Sequence, residues 1–184
     1  MLFVGTTGLA VWLGRAFLQP CGSVPNHPAV VESAWVATLL WFLGISVLLR
    51  CHRTVTVPVW ATGAAFQLLH VAIAFHSAHG WSHAAAFEHT RTIGGFGEGV
   101  FVNYAFTLLW CVDAIWLCCD SESDRRRPRG LNWIIHGFMA FIVFNAAVVF
   151  GSWTARGVFA IGTAIVWYAM SARRSETKVH GGTT

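Results

Sequence analysis

The sequence predicts an all-α integral membrane protein: a bundle of six transmembrane helices, or five if the first apolar segment lies flat on the membrane. Of its 184 residues, 55% are hydrophobic and 11% are charged, whereas an average soluble domain carries about 25% charged residues. The mean hydropathy is +0.58. So few charges cannot coat a soluble globule, and the lipid bilayer is therefore the predicted solvent.

Six segments are candidate spans, because a helix needs ~20 mostly apolar residues to cross a bilayer. No basic stretch precedes the first segment, which predicts a retained segment rather than a signal peptide. The segments are approximately 2–18, 31–49, 57–77, 97–119, 131–151 and 153–170. We therefore predict one transmembrane domain over residues 1–171, followed by a polar, disordered cytoplasmic tail over residues 172–184.

The distribution of Lys and Arg predicts the orientation. If six spans alternate, nine basic residues lie on one side, and the other side has only Arg91 and Arg156. Basic loops tend to stay in the cytoplasm, so we predict a plasma (inner) membrane protein with both termini cytoplasmic. If there are only five spans, the N-terminus lies on the non-cytoplasmic side, and the loop after span three is non-cytoplasmic in both cases. The net charge of +4 comes from these basic residues at the ends of the spans, so it does not indicate binding to nucleic acid, and no nucleic acid is expected as a partner.

The loop after span three belongs to a stretch, residues 70–98, that holds five of the nine histidines. His76, His79 and His83 follow i, i+3, i+7 spacing, and on an unbroken helix they project from one face within ~60°. Gly80 is the position at which that helix could break. The spacing therefore predicts three imidazoles that converge on one ion.

Two further features of the stretch are predicted from local spacing. Ser82 favours the N-cap of a short interfacial helix between spans three and four, and this helix should end at residues 94–95, which are both glycine. His70 lies roughly 180° around the helix from His79. It aligns instead with Gln67, and we expect it to take part in a separate helix–helix contact.

Acidic residues at the same membrane level extend the candidate site, because imidazole and carboxylate ligands suit Zn, Cu or Fe. We predict a transition-metal centre on the non-cytoplasmic face. The predicted ligands are His76, His79, His83, His89 and Glu32. Glu88 and Glu98 are the candidate catalytic groups, each as a further ligand or as a general base. The alternatives are a metal-free proton-relay cluster and a set of interfacial histidines that hydrogen-bond water.

A second ionisable pair lies nearer the cytoplasmic side. Asp113 and His136 are each about six residues from that side of their spans, and so ~9 Å deep. Such groups are costly in a bilayer unless they are paired. We expect either a hydrogen bond between two helices or one step of a proton path. Arg125, Arg126 and Arg127 are predicted to anchor the topology at the lipid headgroups.

The segment from His79 to His83 has the form H-x3-H. It is similar to one of the histidine boxes of the membrane di-iron desaturases and hydroxylases. Those enzymes also carry an adjacent His-His pair, which this chain lacks, and they generally use the cytoplasmic face. The resemblance is therefore confined to these five residues.

Four functions follow as hypotheses. The first is a metal-dependent redox or hydrolytic enzyme that acts on a lipid-soluble substrate. The second is a small haem-binding or quinone-interacting subunit, although His70 and His136 lie in opposite halves of the membrane and are poorly matched as haem ligands. The third is a metal or proton transporter that uses Asp113 and His136 at its exit. The fourth is a structural subunit of a membrane complex or a homo-oligomer.

Overall fold

The computed structural model describes residues 2–18, 20–22, 28–50, 53–119, 127–149 and 151–181. None of these residues forms a strand. The helices are α1 (Leu2–Phe17), α2 (Pro28–Leu49), α3 (Arg53–Ser77), α4 (His83–Gly94), α5 (Gly99–Cys119), α6 (Arg129–Phe144), a π-helix (Asn145–Val149) and α7 (Trp153–Gly181). This architecture confirms the predicted all-α membrane bundle.

Five of the described helices are long and apolar enough to cross a membrane: α2, α3, α5, α6 with its π-helical extension, and α7. The first helix has 16 residues and carries Arg15 in its last turn, so it falls short of the ~20 apolar residues that a span needs. Its end packs on α3, where the Ser77 hydroxyl donates to the carbonyl of the fully buried Ala16 at 3.4 Å. The structure therefore supports the five-span version of the prediction.

Helices α2, α3 and α5 form the centre of the bundle around two buried tryptophans, Trp60 and Trp110. Their ring centroids lie 5.4 Å apart. A Cβ at Gly44 would lie 2.5 Å from Trp60 Cε3, and one at Gly63 would lie 2.6 Å from Trp110 Cζ2. Both glycines are needed for close approach, since real Cβ atoms do not reach such distances. The two indoles thus form an aromatic layer across the bundle.

The last helix returns to the second, and α7 packs beside α2. A Cβ at Gly162 would overlap the Phe42 ring, which also meets Phe159 edge-to-face at 5.5 Å. Helix α7 continues to Gly181 and so enters the polar segment for which the composition predicts disorder. Arg, Glu and Lys are good helix formers, and no Gly or Pro precedes Gly181 there. The domain boundary at residue 171 stays a prediction.

The two ends of the bundle differ in their polar residues. We call the end at which α3 stops and α4 lies the histidine end. We call the opposite end, at which α5 stops and α6 begins, the arginine end. The aromatic layer of Trp60 and Trp110 lies between them.

Candidate functional site

A tight turn ends α3 between the candidate histidines. Gly80 and Trp81 both have positive φ, 57° and 59°, and the Trp81 N–H donates to the Phe75 carbonyl at 2.9 Å. His79 therefore lies in the turn, whereas His83 begins a new helix. The prediction that these histidines project from one face of a continuous helix is wrong, because the backbone reverses between them.

The segment before α2 stabilises this turn. The Gly22 N–H donates to the His76 carbonyl at 2.8 Å. A Cβ at Gly22 would lie 3.2 Å from Gly80 Cα, and Gly22 also has a positive φ of 72°. Glycine suits both positions, since a side chain would be strained there and would crowd the opposite backbone.

Helix α4 is the short helix that the sequence predicts. The Ser82 hydroxyl accepts the Ala85 N–H at 3.2 Å, and Gly95 ends the helix in the left-handed conformation with its N–H on the Arg91 carbonyl. The Phe87 ring fills the space that a side chain at Gly97 would need, and this contact holds α4 beside the start of α5. The arrangement places His89 opposite the turn that follows α3.

His79 and His89 are the two predicted ligands that the structure brings together. Their ring centroids lie 5.2 Å apart at an interplanar angle of 62°, and both side chains are half-buried. Burial lowers the pKa of His79 below its usual value of 6.5, and the neighbouring His89 lowers it further. His79 is therefore predominantly neutral at pH 7, so one of its ring nitrogens is free to accept a proton or a ligand.

These two histidines stand at one end of a cavity of about 330 Å³ that is bounded by α2, α3, α4, α5 and α6. Its α3 wall runs from Gln67 to Phe75, eight residues apart, so the cavity extends ~12 Å along that helix, and Ala78 and His79 in the turn continue the wall. The other polar or indole-bearing residues that line it are Thr38, Trp41, His70, Thr90, Asn103, Tyr104 and Trp110. No Asp, Glu, Lys or Arg of the described chain lines it.

His70 lies in the wall of this cavity and joins α3 to α2. Its Nδ1 is 3.0 Å from the Val30 carbonyl and 3.2 Å from the Ser33 hydroxyl. A carbonyl only accepts, so Nδ1 carries the proton, and in the neutral ring Nε2 is an acceptor. One helix turn earlier, Gln67 donates to the Thr107 hydroxyl of α5 at 3.1 Å. The predicted helix–helix contact of His70 is thereby confirmed.

A second, more apolar cleft of about 520 Å³ lies beside the cavity, between α4, α5 and the end of α6. Its lining residues Ile93, Phe96 and Phe141 are more than half exposed, so this cleft opens at the surface of the bundle. Residues that line both spaces are His89, Thr90, Asn103, Ile142 and Ala146. The π-helix supplies Asn145, whose amide donates to the Phe141 carbonyl at 2.8 Å, and π-helical turns occur frequently at functional sites.

The remaining predicted ligands have other partners. The His76 ring accepts the Trp81 indole N–H at 3.3 Å. His83 lies 3.0 Å from the Tyr104 hydroxyl, and Glu32 accepts the indole N–H of Trp12. Among the described residues, no group of three or more His, Cys, Asp or Glu side chains is arranged to hold a metal ion.

The two candidate catalytic carboxylates also lie away from the cavity. Glu88 forms an exposed ion pair with Arg91 at 2.6 Å, and this hydrogen bond and charge lower the pKa of Glu88. Glu98 lies exposed just before α5. Neither carboxylate lines either of the two spaces, so their roles as base or ligand stay predictions.

At the arginine end, Asp113 is buried and accepts two hydrogen bonds. One comes from the Trp60 indole at 2.8 Å, and the other comes from Arg127. The guanidinium of Arg127 also donates to Asn132 at 3.1 Å. His136 lines the same cavity of about 80 Å³ and meets the Trp60 ring at 5.6 Å.

Arg127 is therefore the partner of Asp113 that the sequence interpretation missed. We expected it at the lipid headgroups, yet its side chain is 3% exposed and its guanidinium lies 4.3 Å from the centre of the Trp116 ring. Asp113 itself could have predicted this contact, because a carboxylate inside a membrane needs a cationic partner. The nearest basic run along the chain begins at Arg125.

The fold and the cavity define a polytopic helical membrane protein with a polar space beside an apolar surface cleft. Comparisons with protein-family models, curated proteins and solved structures give no match. The function is therefore argued from the geometry of this space.

Proposed function

We propose that this protein binds a neutral, lipid-soluble molecule in the cavity at the histidine end. The observation that carries the proposal is the pairing of this cavity with the surface cleft, since five residues line both. A guest dissolved in the bilayer would enter through the cleft between α4 and α6. His89, Thr90 and Asn103 would be the first polar groups that it meets.

The size and chemistry of the cavity support a small neutral guest. A volume of about 330 Å³ is in the range of small-molecule sites, which are mainly apolar with a few placed polar groups. The described lining contains imidazole, amide, hydroxyl and indole groups but no full charge of either sign. An ion at this depth would need a counter-charge, so the lining favours an uncharged molecule.

The charge bias of the loops supports a location for this site. Arg125, Arg126, Arg127 and Arg129 precede or begin α6, and basic loops tend to remain cytoplasmic. The histidine end is then on the non-cytoplasmic side of a plasma membrane. With five spans the C-terminus is cytoplasmic and the N-terminus is not.

The test is saturable binding of radiolabelled decyl-benzoquinone to the purified protein in nanodiscs, with empty nanodiscs as background. Ala74→Phe places a ring inside the cavity and should abolish saturable binding. Ala140→Phe is the matched control, because Ala140 is exposed on α6 and lines neither space. Equal binding by both variants, or wild-type binding no greater than background, would refute the proposal.

A metal-dependent reaction on the guest is the second candidate, and the proximity of His79 and His89 favours it. Two imidazoles 5.2 Å apart between ring centroids supply half of a four-coordinate Zn, Cu or Fe shell, and water or the guest would complete it. Metal analysis after mild purification tests this. Bound metal should be lost in His79→Ala and in His89→Ala but kept in His83→Ala, whose ring lies against Tyr104 instead. Wild-type protein without stoichiometric metal would exclude this version and leave the binding proposal intact.

A further inference from the structure

The α3 wall of the cavity carries two neutral polar side chains, Gln67 and His70, that are three residues apart. This spacing places them on one face of the helix, ~4.5 Å apart along its axis. Both side chains line the cavity. Each also holds a neighbouring helix, since Gln67 donates to Thr107 of α5 and the ring of His70 contacts the start of α2. What they offer to a guest is therefore set by the atoms that these contacts leave over.

The Thr107 hydroxyl fixes the orientation of the Gln67 amide. It donates to the Asn103 carbonyl of its own helix at 3.0 Å, so towards Gln67 it can only accept. The amide nitrogen of Gln67 therefore faces Thr107, at 3.1 Å. The atom left over is the amide oxygen Oε1, which is an acceptor only.

The start of α2 fixes the tautomer of His70 in the same way. The Val30 carbonyl, 3.0 Å from Nδ1, can only accept. The Ser33 hydroxyl, 3.2 Å from Nδ1, already donates to the Ala29 carbonyl. The ring proton is therefore on Nδ1. The other nitrogen, Nε2, carries a lone pair that leaves the ring on the side away from these partners.

Both leftover acceptors are open to a small molecule. Oε1 of Gln67 and Nε2 of His70 make no hydrogen bond within the described part of the chain, and neither is among the unpaired polar atoms there that are sealed from water. Each atom therefore has accessible surface, and the cavity is the space that both side chains line. The indole nitrogens of Trp41 and Trp110 differ, because they are sealed.

We propose, on the basis of the proposed function, that the guest carries a hydroxyl group that donates a hydrogen bond to His70 Nε2, with Gln67 Oε1 as the neighbouring acceptor. A guest whose head can only accept, such as a ketone or a quinone, would leave both atoms unpaired. An ammonium group could donate, but it would bring a charge into a lining with no described carboxylate. The class is therefore a neutral phenol, quinol or alcohol with an apolar tail.

The experiment compares 4-decylphenol with 4-decylanisole, which has the same ring and tail but a methyl ether in place of the O–H. Binding to wild type in nanodiscs is expressed relative to the lipid-phase concentration of each probe, with empty nanodiscs as background. Wild type should bind the phenol about two- to tenfold more tightly, the range for one hydrogen bond.

The matched variants replace one histidine each by asparagine. His70→Asn keeps an N–H near the Val30 carbonyl but removes the nitrogen on the far side of the ring, so the preference for the phenol should be lost and the affinity for the anisole should stay. His83→Asn is the control, because His83 is exposed and lines neither the cavity nor the cleft. It should keep the preference.

A second measurement uses wild-type protein with 15N-labelled histidine, so that it does not depend on the folding of a core variant. An unprotonated imidazole nitrogen moves upfield when it accepts a hydrogen bond. The phenol should move one such signal, and the anisole should not. The moving signal should persist in His79→Gln and in His89→Gln, which replace the other two histidines of the described lining.

Three results would overturn the hydroxyl assignment while the cavity still binds. They are equal affinities of wild type for the two probes, a preference for the phenol that His70→Asn retains, and a moving signal that disappears in His79→Gln or His89→Gln. If neither probe bound wild type above empty nanodiscs, the proposed function itself would fail.

Discussion

The two ends of the bundle each enclose polar groups, but they differ in the charge of those groups. At the arginine end, both oxygens of Asp113 accept hydrogen bonds, and Arg127 lies against its carboxylate and against Trp116. At the histidine end, the indoles of Trp41 and Trp110 have no acceptor among the described residues. Arg127 Nε and Nη2 are also buried without a partner among the described residues, so the arginine end is distinguished by its enclosed ion pair and not by complete pairing.

The sizes of the two spaces agree with this contrast. The cavity at the arginine end has a volume of about 80 Å³. The cavity at the histidine end is about four times larger, at 330 Å³. The ion pair of Asp113 and Arg127 therefore lies beside the smaller of the two spaces, away from the cavity for which we propose a guest.

The largest expected effect is on the framework. Asp113→Asn leaves the buried Arg127 without its counter-charge, and breaking a buried pair in this way typically costs about 3–5 kcal/mol. The free energy of unfolding, measured by SDS titration, should fall by that amount. The double variant Asp113→Leu, Arg127→Met removes both charges and should recover much of the loss. If Asp113→Asn unfolded at the same SDS fraction as wild type, the ion pair would not stabilise the fold.

The aromatic layer between the two ends is the next most sensitive place. Gly44→Ala puts a methyl group 2.5 Å from Trp60 Cε3, and overpacking of this kind costs about 1–3 kcal/mol. The same titration measures it. Gly137→Ala is the control, because nothing lies within 4 Å of its added Cβ and alanine is the better helix former. If both variants lost equal stability, the tight contact with Trp60 would not be the cause.

The histidine end should respond to pH. The pKa of His79 is lowered in the folded state from its usual 6.5, so the unfolded chain binds more protons as the pH falls through this window. His79 therefore contributes a loss of stability below about pH 6.5, and none at pH 8. Thermal unfolding should be measured at pH 8 and below pH ~6.5. The loss of stability between the two should be smaller for His79→Gln than for wild type. Equal losses would mean that the His79–His89 contact does not set the response.

The smallest effect is expected for the exposed pair on α4. Glu88→Gln removes the partner of Arg91, but both side chains are more than half exposed, and surface ion pairs contribute little. Thermal unfolding and decyl-benzoquinone binding should both match wild type within error. A clear loss of binding would instead support the catalytic or ligand role that the sequence suggested for Glu88.

The helices could be predicted because their signals are local. Apolar length identifies the spans, and Ser82 and Gly95 mark the two ends of α4. The position of His70 opposite His79 also follows from helix geometry alone. Its partners, Val30 and Ser33, could not be named, since they depend on how α2 and α3 meet.

The site was harder to predict because its features are tertiary. The reversal after His79 is held by Gly22, which comes from the segment before α2. The burial of Arg127 depends on its contact with Asp113, which lies on another helix. A cavity is a property of the space that several helices leave open, and no spacing within one helix reports it. Histidine spacing therefore indicated two residues that line the cavity, His79 and His89, but grouped them with side chains that face different neighbours.

The contact between Gly162 and Phe42 also has a consequence for biosynthesis. Roughly 120 residues separate these two positions, which is on the order of ten seconds of synthesis at 5–20 residues per second. Throughout that interval, the face of α2 that carries Phe42 must be covered by lipid or by the insertion machinery. Helix α7 thus completes a packing surface on α2, which is made well before it, and a nascent chain truncated before α7 would expose that surface to other proteins in the membrane.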